Sequence, residues 1–143
     1  MMDFSMNTAP LTVTQAVTLE LIDPTGAVTP IDAELHYDPR DPYAVTTVFM
    51  TGASAVRWTF GRELLTDGLY EPAGDGDVHV WPCLDSDGRA VVIIELCSPD
   101  GELLVQADSR IVDTFIAEML KSVPEGLESA HINFDDELAQ LLA

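Results

Sequence analysis

The sequence predicts an α+β fold of antiparallel strands with a short mid-chain helix and C-terminal helices. Three observations predict it. Apolar and polar residues alternate with period two over much of residues 11–107, the mark of half-buried strands. Short Asp-, Gly- and Pro-containing clusters separate those segments as hairpin-type turns. After Ala107 the apolar period changes to three or four, the mark of an amphipathic helix.

The elements follow in order. The first ten residues are polar or mixed and are expected to be a disordered tail, leaving 11–143 as one domain. In residues 11–22, Leu11, Val13, Val17, Leu19 and Leu21 share one face, interrupted by Gln15, against Thr12, Thr14, Thr18 and Glu20. Asp23-Pro24-Thr25-Gly26 is a turn. In residues 31–37, Ile31, Ala33, Leu35 and Tyr37 oppose Asp32, Glu34 and His36, and two prolines then end the ladder. Strands are expected at about 43–50 and 55–60, the latter with Val56, Trp58 and Phe60 on one face. Asp41-Pro42-Tyr43 reads as a rigid strand start with Tyr43 packed. Residues 61–68 are bounded by glycines and read as a two-turn helix ended by Gly68. A Gly/Pro/Asp-rich loop, 71–77, precedes strands near 77–84, 89–97 and 102–107. Ile111, Phe115 and Met119 then form one helical row beside Val112, Ile116 and Leu120. Asp108 or Ser109 caps its start, and Pro124 and Gly126 end it. Residues 133–142 read as a second short helix with Phe134, Leu138, Leu141 and Leu142 on one stripe. The strand-rich block recurs around the mid-chain helix, which suggests two structurally repeated halves.

Composition narrows the function. Twenty-five acidic residues against six basic ones give a net charge of -19. Nucleic acid is bound largely by cations that neutralise phosphates, and an anionic leaflet repels the same field. Nucleic acid and bare membrane are therefore poor partners. A contact with another acidic protein has to be apolar or locally charge-matched. Cys83 and Cys97 are too few for a disulfide scaffold. The chain start has no basic region with an apolar core, and no stretch reaches the ~20 apolar residues of a spanning helix. The expected location is cytoplasmic.

No constellation points to catalysis, a metal or a cofactor. Asp75-Gly76-Asp77 and Asp85-x-Asp87-Gly88 lack the further oxygen ligands of a calcium loop and are explained as turn formers. His36, His79 and His131 have no metal-ligand spacing. No nucleophile elbow is present, and the glycines at 74 and 76 sit among carboxylates that would repel a phosphate.

Four segments in register carry a family resemblance: Tyr37 with Asp41-Pro42-Tyr43-Ala44-Val45; Trp58-Thr59-Phe60-Gly61-Arg62-Glu63-Leu64-Leu65 with Asp67-Gly68-Leu69; Gly74-Asp75-Gly76-Asp77-Val78 with Val80-Trp81-Pro82; and Ser98-Pro99 with Gly101-Glu102. Their order and spacing resemble the SsgA-like proteins of sporulating actinomycetes over roughly residues 31–143. Val80-Trp81-Pro82 and the 133–138 segment make the chain most similar to the SsgB branch. The resemblance implies a non-enzymatic adaptor. It would mark the sporulation septum by recruiting the tubulin-like GTPase FtsZ and favouring its ring assembly. It also implies an SsgA-type paralogue as a second partner, access to the membrane only through partner proteins, a homotrimer, and a fold similar to the whirly single-stranded-DNA-binding fold. That fold agrees with the strand order if a further strand lies within residues 69–77. A whirly-like nucleic-acid binder is the alternative function, and the net charge speaks against it.

Candidate contact residues follow. Trp58 reads as core. Trp81 is either packed or an exposed interface anchor. Arg62 reads as part of a solvated or ion-paired face, or as paired with an acidic residue of a neighbouring subunit. Phe134, Leu138 and Leu141 either cap their own core or dock on another chain.

Overall fold

The computed structural model describes residues 11–132 and residue 141. The elements run β1 (Val13–Ile22), β2 (Val28–Tyr37), β3 (Ala44–Met50), β4 (Ala55–Gly61), α1 (Arg62–Gly68), β5 (Ala73–Asp75), β6 (Val78–Leu84), β7 (Ala90–Ser98), β8 (Gly101–Asp108) and α2 (Ser109–Ser122), followed by a 3-10 turn at Glu128–His131. All eight strands join one antiparallel sheet in the order β4-β3-β2-β1-β8-β7-β6-β5. Each half is thus a four-strand meander followed by a helix, and β1 stitches to β8 through Glu20 opposite Gln106 and Leu21 opposite Val105. The α+β reading holds. The short strand β5 is the further strand expected within 69–77. The readings on residues 1–10, and on Phe134 and Leu138 in the helix expected over 133–142, lie outside the described residues.

The period-two pattern sets which face is buried. Val17, Leu19, Ala33, Leu35, Tyr37, Val45, Phe49, Phe60, Val80, Val92, Ile94, Leu96 and Val105 point to one side and form a continuous core with Leu64 and Leu65 of α1 and Val112, Phe115, Ile116 and Met119 of α2. Trp58 is half-buried against that core, as its alternation with Phe60 predicts. The sheet curls: α1 packs against β4 and also against β5 and β6 at the opposite end of the strand order.

Local chemistry explains the turns. Asp23 Oδ1 accepts from the Thr25 and Ala27 N–H groups at 2.8 and 3.0 Å. Asp85 Oδ1 repeats the pattern with the Asp87 and Arg89 N–H groups at 2.8 and 2.9 Å. Gly26 and Gly88 supply the positive φ each hairpin requires, +87° and +79°. Asp108 caps α2 by accepting from the Arg110 N–H at 2.8 Å, and this bond leads the effects that hold its carboxyl below the usual range.

Two expectations need correction. Gly68 does not end α1 through a left-handed conformation; it remains helical. Its role is close approach, because a Cβ there would lie 2.3 Å from Val80 Cγ1. Tyr43 is 52% exposed rather than packed. The buried tyrosine is Tyr37, whose hydroxyl donates to the Pro42 carbonyl at 2.9 Å and so ties down the same strand start.

Candidate functional site

The carboxylates and histidines that the sequence singles out have local partners where the structure describes them. Asp85 is consumed by its turn, as above. No group of three or more potential metal ligands occurs among the described residues. His36 lies 2.7 Å from Glu34 on the same strand. His79 lies 3.5 Å from Glu95 on the neighbouring one, an ion-pair spacing too long for a hydrogen bond at Nδ1. Cys83 and Cys97 are both free thiols. Burial, reinforced by Glu95, pushes the Cys97 thiol above its ordinary pKa, away from nucleophilic use.

Arg62 is the residue the sequence misplaced. It is 3% exposed, so it is not part of a solvated face; the ion pair that the sequence reading allowed is a buried one, to Glu128. Nη1 donates to the Val123 carbonyl at 2.8 Å and to the Tyr37 hydroxyl at 3.2 Å, and Nη2 donates to the Pro124 carbonyl at 3.3 Å. Glu128 completes the shell at 3.0 Å. The guanidinium carbon lies 5.4 Å from the Tyr37 ring centroid, a cation–π distance. Every one of these partners is in the same chain. The arginine thereby fastens the start of α1 to the segment that leaves α2, satisfying carbonyls that the end of α2 exposes. Glu128 is held below the ordinary carboxylate range, first by its own backbone N–H and then by Arg62. Burial raises the Tyr37 hydroxyl above its ordinary value against the opposing pull of Arg62.

Trp81 lies on the other face of the sheet, away from α2. It is half-buried and sits opposite Ile93, which sits opposite Gln106, which sits opposite Glu20. The row ends in a polar contact, Gln106 Nε2 donating to Glu20 Oε1 at 3.0 Å. Ile93 is 5% exposed. Leu141 is 81% exposed. Among the described residues, then, the candidate contact features are Trp81 on the sheet face away from α2, Leu141, and the edge strand β4.

Comparison with known proteins places the chain in a family. The family model described as Streptomyces sporulation and cell division protein, SsgA, matches residues 31–128. The sporulation-specific cell division protein SsgB of Streptomyces coelicolor is 44% identical over 96% of this chain and 98% of its own length. SsgB of Frankia casuarinae is 45% identical over 91% of each chain. The solved structure of Streptomyces coelicolor SsgB superposes with a TM-score of 0.80 at 43% identity, covering 86% of this chain and 97% of that one. The SsgA-like sporulation-specific cell division protein of Thermobifida fusca superposes with a TM-score of 0.82 at 37% identity, covering 98% and 99%. The chain belongs to the SsgA family of sporulation and cell division proteins, and its similarity is to the SsgB members.

Proposed function

We propose that this protein is a non-enzymatic adaptor of sporulation septation that recruits FtsZ to the septum site and promotes its assembly into a ring. The observation that carries the reading is full-length similarity to SsgB, 44% identity over 96% of the chain. The physical features support it. The described residues hold no assembled metal or nucleophile site, and the net charge of -19 opposes phosphate binding even on a whirly-like sheet. No helix among the described residues is long and apolar enough to cross a membrane, in keeping with a membrane contact made through partners. In this reading the chain works in the cytoplasm as a homotrimer beside an SsgA-type paralogue.

Co-sedimentation with polymerising FtsZ tests the function. The expected result is enrichment of the chain in the pellet and an increase in polymer mass. Absence of both would sink the proposal. Light scattering on the purified chain checks the trimer independently.

A further inference from the structure

The two ends of the sheet are built differently. β5 is three residues long, and its central Gly74 lies beneath the His79 imidazole, where a Cβ would meet Cδ2 at 2.1 Å. So short a strand offers little to pair with. β4 runs seven residues and, among the described residues, has β3 as its sole sheet neighbour. Its register with β3 is unbroken from Ala44 opposite Gly61 to Met50 opposite Ala55. An antiparallel strand turns about half of its backbone N–H and C=O groups away from its partner. Among the described residues, the backbone of 55–61 makes no hydrogen bond outside the ladder. The strand carries no proline, no lysine and no bulge, and Arg57 is its one charged side chain.

Charge distinguishes this edge as well. Residues 42–62 contain no Asp or Glu, the longest such run in a chain with 25 acidic residues. Arg57, at the centre of β4, is exposed and makes no ion pair within 4.0 Å among the described residues. Asp38 and Asp41 line the same shallow hollow, but Asp38 is engaged by Arg40. On the other face of the strand Val56 is 44% exposed and Trp58 half-buried. Asp100 and Glu102 line the hollow beside Trp58, but β4 itself carries no carboxylate, and Arg57 offers an acidic partner a local charge match.

We propose that the open edge of β4 is a docking surface at which an extended segment of an acidic partner protein adds to the sheet as a further strand. A partner carboxylate lies beside Arg57, and apolar partner side chains lie on Val56 and Trp58, the backbone supplying affinity and the alternating side chains specificity. This inference rests on the adaptor reading and names the surface that reading requires.

The test is hydrogen–deuterium exchange on the full chain with and without polymerised FtsZ, combined with co-sedimentation of variants. The amides of residues 55–61 are expected to slow on binding. Arg57→Glu and Val56→Lys are each expected to weaken co-sedimentation about tenfold, while Arg110→Glu on α2 leaves it unchanged. Circular dichroism confirms that each variant is folded; Arg57 is exposed, so its variant stands if Val56→Lys does not. If the chain pellets but residues 55–61 exchange as in the free protein and Arg57→Glu pellets like the native chain, the edge proposal falls and the adaptor reading survives. If the native chain does not pellet at all, both fall.

Discussion

Arg57 and Arg62 stand five residues apart, yet they occupy opposite physical situations. Arg57 is exposed on an edge strand and makes no ion pair among the described residues. Arg62, one residue past the end of that strand, is buried beneath the segment leaving α2 with two carbonyls, a tyrosine hydroxyl and a carboxylate around it. The same side chain thus acts once as an internal strut and once as a free surface charge. The difference comes from topology. The chain leaves the sheet at Gly61, and α1 carries its first residue inward over the core, where the end of α2 presents unsatisfied carbonyls.

That contrast can be broken by mutation. The largest effect is expected from Arg62→Met. It keeps the aliphatic stem but strands the Val123 and Pro124 carbonyls and the Tyr37 hydroxyl, so about 3–5 kcal/mol should be lost, as for a broken buried ion pair. Urea denaturation with an unchanged slope and a lower midpoint would show it; a native-like midpoint would mean the cluster is dispensable. Tyr37→Phe removes the bond to Pro42 and one partner of Arg62, and should cost about 1–2 kcal/mol in the same assay.

The pH dependence is a smaller and more local test. Glu128 is depressed in the folded state, so its contribution is complete above the ordinary carboxylate pKa. It is lost as pH falls through the lower folded value. Amides of residues 124–132 should therefore lose exchange protection on acidification before the core strands do, and Glu128→Gln should remove that pH dependence. Smallest of all, Arg57→Ala should change stability by no more than about 0.5 kcal/mol, the usual range for an exposed site without special contacts. A large loss there would show that Arg57 serves the fold and would weaken its assignment to docking.

Much of the fold was legible because the signals were local. Val17 and Leu19 alternate with Thr18, and the burial follows. Asp85 and Gly88 write their own turn. Asp108 caps α2 as its position before the periodic run suggests. The candidate contact residues were less legible. Trp81 alternates with Val80, so its face was open to two readings until strand pairing placed it opposite Ile93. Tyr37 and Tyr43 flank the same two prolines, and composition does not say which ring goes inward. The structure buries Tyr37, which continues the inward row of Ala33 and Leu35, and leaves Tyr43 out beyond Pro42.

By itself the sequence determined the longer strands, the helices α1 and α2, the Asp108 cap of α2, the family, and the acidity that disfavours nucleic acid, because each depends on near neighbours or on totals. The open β4 edge, the blunted β5 edge and the burial of Arg62 were decided only by tertiary structure. Each depends on which elements become neighbours in space: β1 meeting β8, α1 reaching back over β5 and β6, and the end of α2 arriving above residue 62, some sixty positions away along the chain.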